Sequence, residues 1–189
     1  MRLHLLAHAA TAAARSARFP LDEPLDAGGR RAAAAVELAT PEHLWCASST
    51  RCRETASLAL PERPVDGDAP AGPDPGDWAG RSPADLLADD AAALQAWMTD
   101  PDAAPPGGES LAALVARVGT WMDALPREDR TVGLAVVDPP VVRAAIAHAL
   151  GAGPAAAWRV DVAPLTLAVL TGGAGRWNLR MLQTEPRSV

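Results

Sequence analysis

Short apolar runs along the chain have the length expected of buried strands. The run over 131–137 is continuous, as in a central parallel strand. The first run, RLHLLA, ends at His8, and a GGAG segment between the last two runs predicts a hairpin turn. Together these runs predict strands at 2–7, 43–47, 131–137, 160–171 and 176–182.

Helical periodicity occupies the intervals between these strands. The clearest helix covers 109–125, where apolar side chains recur at spacings of three and four. Asp26 is a suitable N-terminal cap, and Pro139-Pro140 suits the first turn of a helix that stops at Gly151. The helices are predicted at 26–38, 51–60, 83–98 (as one helix or two), 109–125 and 139–150.

Two segments rich in proline and glycine interrupt this pattern. Residues 60–82 predict a long loop within one domain, because neither flank alone has enough apolar residues for a core. Residues 100–108 predict a second loop. Long loops in compact domains often cover functional sites, so the 60–82 loop is expected to cover a pocket. We predict a single domain over 1–184 and a flexible tail at 185–189.

The alternation of strands and helices predicts an α/β fold, a three-layer sandwich with a mostly parallel sheet. In such sheets ligands bind beyond the carboxyl ends of the strands. His8 and Asp138 each follow directly on a predicted strand. Both side chains are therefore expected beside the pocket.

Composition and charge narrow the classes of partner. A net charge of −6 and a pI near 5.1 argue against a nucleic-acid binder, which would carry a basic face. No run approaches the roughly 18 uncharged apolar residues of a membrane helix, so no membrane partner is expected. Cys46 and Cys52 suit neither a disulfide framework nor a metal site. We expect a cytoplasmic protein with a small-molecule ligand, no metal and no organic cofactor.

Five segments of the chain carry candidate chemistry. In chain order they are LLAHAAT, CASSTRCRETA, GDWAG, GGESL and VVDPPVVRAAIAHALG. In this order and spacing the chain resembles the histidine phosphatase superfamily, the phosphoglycerate-mutase-like group, from residue 1 to about residue 182. The resemblance implies the phosphoglycerate-mutase-like fold and chemistry on phosphate esters.

The resemblance also implies roles for individual residues. His8 matches the nucleophilic histidine that becomes phosphorylated, and Thr11 matches a substrate-contacting threonine of the same motif. Arg51 matches an arginine that binds phosphate, and Glu109 matches the general acid. A phosphoryl group carries about −1.5 to −2 charges, so it needs a nucleophile, a proton donor and fixed cations. Arg143 stands where an arginine often follows the last motif.

Among the departures from the family pattern, two change the charge of the site. Ala7 replaces an arginine beside the nucleophile, and Asp138 replaces a second histidine. An added carboxylate near a phosphate oxygen costs on the order of a few kcal/mol, and a lost oxyanion donor costs roughly 3–4 kcal/mol. A phosphatase slowed by several orders of magnitude is expected. Arg15 and Arg18 follow His8 in the next loop, and either is a candidate to replace the lost guanidinium in substrate binding.

Asp138 has two interpretations. An aspartate before proline is a good N-terminal helix cap, in which case its carboxylate turns back to its own helix. In the second interpretation it faces His8, and His8, Glu109 and Asp138 form one catalytic set.

Three functions therefore stay open. The first is a weak phosphohydrolase that acts on a small phosphoester through phospho-His8. The second is an enzyme that uses His8, Glu109 and Asp138 for acid–base chemistry on a substrate without phosphate. The third is a pseudoenzyme that binds a metabolite or a protein. Because the family often forms dimers, the resemblance is also compatible with a homodimer.

Overall fold

Six strands form one sheet in the computed structural model, which describes residues 1–126, 131–173 and 175–184. They are β1 (Arg2–Ala7), β2 (His43–Cys46), β3 (Gly67–Asp68), β4 (Val132–Val137), β5 (Leu167–Gly173) and β6 (Arg176–Gln183). The sheet order is β3-β2-β4-β1-β5-β6. Strands β3, β2, β4 and β1 run parallel to one another. Strand β5 runs antiparallel to β1, and β6 runs antiparallel to β5. The predicted α/β fold with a mostly parallel sheet is confirmed.

Helices cover both faces of this sheet. They are α1 (Ala12–Arg15), α2 (Ala27–Ala34), α3 (Thr50–Ala59), α4 (Pro83–Asp89), α5 (Ala91–Thr99), α6 (Leu111–Ala124) and α7 (Pro139–Leu150). Two further turns, Gly76–Trp78 and Pro154–Arg159, are 3-10 helical. The segment 83–98, predicted as one helix or two, forms the two helices α4 and α5. The sequence analysis did not predict α1, β3 or either 3-10 turn.

The central position of β1 explains why most of its residues are apolar. Leu3 and Leu5 pack into a core shared with α6 and α7, while Leu6 packs into a second core shared with α2 and α3. Both faces of the strand are therefore buried, and each buried leucine contributes roughly 1.5–3 kcal/mol to folding. Such a strand holds the residue that follows it, His8, in a fixed position.

The helix predicted over 26–38 is too long. Asp26 caps it as predicted, with its carboxylate accepting a hydrogen bond from the Gly29 N–H, but the helix ends at Ala34. Val36 and Leu38 then pack against the core of α2 and α3. Tertiary packing therefore overrides the helical propensity of the alanine-rich segment.

The strand predicted over 160–171 is wrong for its first seven residues, since β5 begins at Leu167. Leu165 has a φ of +61°, a left-handed conformation that a strand does not accommodate. Its N–H donates to the carbonyls of Ala7 and His8, both at 3.2 Å. The turn closes against the end of β1 instead of extending the sheet.

Other boundaries shift by a few residues. The helix predicted from 109 begins at Leu111, with Ser110 as its cap, so Glu109 precedes the helix. The 60–82 segment contains the short edge strand β3, and its residues 73–75 line a cavity. Residues 185–189 lie outside the described part of the chain. Among the described residues, no helix is long and apolar enough to cross a membrane.

Candidate active site

A cavity of about 580 Å³ lies beyond the carboxyl ends of β1 and β4. Of the residues with predicted roles, it is lined by His8, Thr11, Arg51, Glu109 and Asp138, and also by Arg18, the second candidate for the missing cation. Arg15, the remaining one, lies outside the cavity. Its side chain is 62% exposed and forms an ion pair with Asp26. The structure therefore does not place Arg15 where the missing arginine would act.

Aromatic side chains form much of one cavity wall. Phe19 packs against Trp78 in a tilted arrangement and against Trp97 edge-on, with ring centroids 5.3 Å from each. Trp97 belongs to α5, so this cluster fixes that helix beside the cavity. Together with several prolines, Phe19 and Trp97 make the wall mainly apolar.

Parallel pairing of β1 and β4 brings His8 and Asp138 together. Ala7 lies opposite Val137, and the His8 N–H donates to the Val137 carbonyl at 2.9 Å. The next residue of each strand therefore emerges at the same edge of the sheet. His8 Nε2 lies 3.6 Å from Asp138 Oδ1.

The tautomer of His8 follows from its hydrogen bond. Nδ1 lies 2.7 Å from the Ala9 carbonyl, which can only accept, so Nδ1 carries the proton. The lone pair is then on Nε2, the nitrogen nearest Asp138. Burial lowers the pKa of His8, although the Ala9 carbonyl and Asp138 act to raise it. At neutral pH the ring is uncharged, and Nε2 is available as a nucleophile or base.

Asp138 occupies the N-cap position of α7, but its side chain makes no capping hydrogen bond, so the capping interpretation of its side chain is wrong. Its Oδ1 accepts from Nε and Nη2 of Arg51, both at 2.6 Å. Its Oδ2 accepts from the Gly72 N–H at 3.1 Å and from the Cys52 thiol at 3.7 Å. Burial raises the pKa of Cys52, which keeps that thiol protonated. The carboxylate faces the cavity with both oxygens engaged.

This arrangement neutralises Arg51. Its third nitrogen, Nη1, donates to the Leu21 carbonyl at 2.8 Å. A side chain at Gly72 would place its Cβ 2.9 Å from Asp138 Cγ, so glycine allows the close approach. Sequence patterns revealed neither Gly72 nor Cys52, since each contacts Asp138 across more than sixty residues.

Glu109 has a different partner, Arg117, which the sequence analysis missed. Arg117 Nε and Nη2 donate to the two oxygens of Glu109 at 2.6 and 2.8 Å. The same Nη2 donates to the Gly72 carbonyl at 3.0 Å. Because Glu109 precedes the α6 cap, helical spacing does not predict this pair.

Thr11 is a buried wall residue. Its hydroxyl accepts from the Ala14 N–H at 3.2 Å and caps α1. Two hydrogen bonds connect the segment after β1 to α3. The Ala9 N–H donates to the Thr55 hydroxyl, and that hydroxyl donates to the Arg51 carbonyl. In the described ranges, no three His, Cys, Asp or Glu residues are grouped to hold a metal ion.

Comparisons with known proteins agree with this architecture. A family model described as "Histidine phosphatase superfamily (branch 1)" matches residues 3–185. An Escherichia coli structure, provisionally assigned as an alpha-ribazole-5'-P phosphatase, is 26% identical and has a TM-score of 0.87. The match covers 100% of this chain and 98% of that chain.

Two further solved structures show the same fold at lower identity. The alpha-ribazole phosphatase from Shigella flexneri is 24% identical, with 100% and 99% coverage and a TM-score of 0.84. A mycobacterial glucosyl-3-phosphoglycerate phosphatase complexed with VO3 is 24% identical, with 98% and 99% coverage and a TM-score of 0.83. Among curated protein sequences, none matches this chain.

Proposed function

Because the chain belongs to the histidine phosphatase superfamily, we propose that it hydrolyses small phosphate esters slowly, through Nε2 of His8. The observation that carries this proposal is the hydrogen bond between Nδ1 of His8 and the Ala9 carbonyl. It leaves the lone pair of an uncharged ring at Nε2, in the wall of a cavity.

The proposed reaction has two displacements at phosphorus. In the first, Nε2 forms a bond to phosphorus while the bond to the ester oxygen breaks, and that oxygen takes a proton. Glu109 is the candidate donor. In the second, water forms a new bond to phosphorus and gives a proton to the carboxylate of Glu109, the phosphorus–nitrogen bond breaks, and inorganic phosphate leaves with the histidine restored and Glu109 protonated again.

The surroundings of His8 account for slow turnover. Asp138 places a carboxylate 3.6 Å from Nε2, where the phosphoryl oxygens would approach. At about 4 Å and an effective dielectric near 20, an unpaired carboxylate would cost on the order of 4 kcal/mol, and the ion pair with Arg51 reduces this repulsion. Asp138 also occupies two donors of Arg51 that would otherwise bind phosphate. Both effects raise the barrier to phosphoryl transfer.

The expected substrate is a small organic phosphate monoester. The Escherichia coli relative, by its assignment, acts on alpha-ribazole-5'-P. The cavity here, with its apolar aromatic wall, is of the size of sites that enclose small ligands.

A second candidate function is acid–base catalysis on a substrate without phosphate. The distance of 3.6 Å between His8 Nε2 and a buried carboxylate favours it. A substrate group in the cavity could give a proton to Nε2, and the carboxylate of Asp138 would stabilise the imidazolium that forms.

The test measures phosphate release from a panel of phosphate monoesters. We compare the wild-type chain with His8→Ala and with His43→Ala, a control at a half-exposed histidine of β2. Turnover that disappears in His8→Ala and persists in the control would support the proposal. Equal turnover in all three, or turnover in none, would contradict it, and turnover in none would leave the acid–base enzyme and the ligand-binding pseudoenzyme to be tested.

A further inference from the structure

Three arginines line the cavity, and two of them are already engaged. Arg51 is held by Asp138. Arg18 donates to the Gly80 carbonyl at 2.9 Å and pairs with Asp85 at 3.3 Å. The third, Arg143, projects from α7 and is half-buried.

Arg143 has no partner among the described residues. Its Nε is buried without a hydrogen-bond acceptor, and no carboxylate pairs with its guanidinium. The acids that line the same cavity are engaged elsewhere: Asp138 with Arg51, Glu109 with Arg117, and Asp74 with the Gly76 N–H. The positive charge of Arg143 is therefore uncompensated within the described cavity wall.

Such a group is unusual, since buried donors in folded proteins nearly always have acceptors. The nearby wall residues Pro140, Ala157 and Val162 have no side-chain acceptor to offer. Because Nε itself has almost no accessible surface, a ligand in the cavity would meet the terminal nitrogens of the same guanidinium, whose fork matches two oxygens of a phosphate.

We infer that Arg143 is the principal phosphate-binding residue of the cavity, in the place of the arginine that is absent at Ala7 and of Arg51, which Asp138 occupies. This inference rests on the proposed function for the identity of the ligand as a phosphate ester. The positive charge that binds phosphate would then come from α7, the helix that begins directly after Asp138.

The test is calorimetric titration with inorganic phosphate. Wild type is compared with Arg143→Met and with Arg30→Met, a control at an arginine that pairs with Glu54 outside the cavity. Loss of a charge-assisted hydrogen bond should raise the dissociation constant for phosphate at least about tenfold in Arg143→Met. Because Arg30 does not line the cavity, Arg30→Met should raise the dissociation constant less than about twofold. Equal weakening in both variants, or no phosphate binding by wild type, would overturn the inference.

A second measurement needs no substitution and so does not depend on the folding of a variant. In the wild-type chain, the Nε–H nitrogen-15 signal of Arg143 should shift during phosphate titration, and the signal of Arg51 should stay in place. A shift confined to Arg51 would overturn the inference. Arg143→Lys, which keeps the charge but loses the fork, should bind with intermediate affinity.

Binding and turnover distinguish this inference from the proposed function. Phosphate binding that depends on Arg143, without turnover that depends on His8, would support this site and contradict the hydrolase. Turnover that depends on His8, with phosphate binding unchanged in Arg143→Met, would support the hydrolase and contradict the phosphate-binding role of Arg143.

Discussion

Two arginine–carboxylate pairs stand at the cavity, and they differ in burial. The side chains of Arg51 and Asp138 are 8% and 4% exposed, whereas those of Arg117 and Glu109 are 36% and 18% exposed. Separation of a buried pair leaves an uncompensated charge away from water, while water replaces the partner of an exposed one. Asp138 is therefore a fixed part of the cavity floor, and Glu109 is able to exchange Arg117 for another partner.

This difference separates two roles that the sequence analysis had given to one catalytic set. A proton donor must change its partners during each turnover, which suits the half-exposed pair of Glu109. A carboxylate that is bound on both oxygens and buried suits a permanent electrostatic element. We expect Asp138 to set the charge of the site and not to transfer protons.

Loss of Arg51 should have the largest effect on stability. Arg51→Ala leaves Asp138 buried without its counter-ion, so the free energy of unfolding should fall by about 3–5 kcal/mol. Urea denaturation followed by circular dichroism measures this change.

The matched control is Arg117→Ala, which removes the partner of Glu109. Its cost should be about 1 kcal/mol or less, because the pair is partly solvated. Equal losses in the two variants would refute the contrast between the pairs.

Neutralisation of Asp138 should have the next largest effect, which is an effect on the rate of hydrolysis. Asp138→Asn keeps the shape of the side chain, removes the negative charge near Nε2 and weakens the hold on Arg51. Phosphate-ester hydrolysis should rise at least about tenfold, since part of a repulsion of a few kcal/mol is removed. The measurement is kcat/KM on the best ester of the panel.

Asp26→Asn serves as the control for that comparison, because Asp26 pairs with Arg15 outside the cavity. Its rate should equal that of wild type. A rate for Asp138→Asn that is unchanged or lower would show that the carboxylate does not limit hydrolysis.

The smallest expected effect concerns pH. Burial lowers the pKa of His8 below its ordinary value of 6.5, and only the uncharged ring attacks phosphorus. Activity should therefore hold at pH 6.5 and fall as the pH drops through the lowered pKa. Titration of the His8 ring signals by NMR gives the midpoint directly.

The same shift has a consequence for stability. Between the folded-state pKa and the unfolded value of about 6.5, the unfolded chain binds more protons. The free energy of unfolding should decrease as the pH falls through this interval. A His8 midpoint at or above 6.5 would contradict both expectations.

Prediction from sequence succeeded where local pattern determines structure. The continuous run of β4 and the periodic run of α6 follow from burial of one strand or one helix face. It failed at 160–166, where a left-handed Leu165 turns the chain. No local signal marks that residue, because its conformation serves hydrogen bonds to the end of β1.

For the site, sequence by itself determined which chemistry was available and at which edge of the sheet. His8 and Asp138 each end a buried strand, and parallel pairing places such residues side by side. The tertiary structure alone decided how the charges combine. It turned Asp138 away from its own helix toward Arg51, joined Glu109 to Arg117, left Arg15 at the surface and left Arg143 unpaired in the described cavity wall. The reason is physical. The periodicity of apolar residues within a segment determines whether it forms a strand or a helix, whereas an ion pair requires two side chains that only the folded chain brings close together.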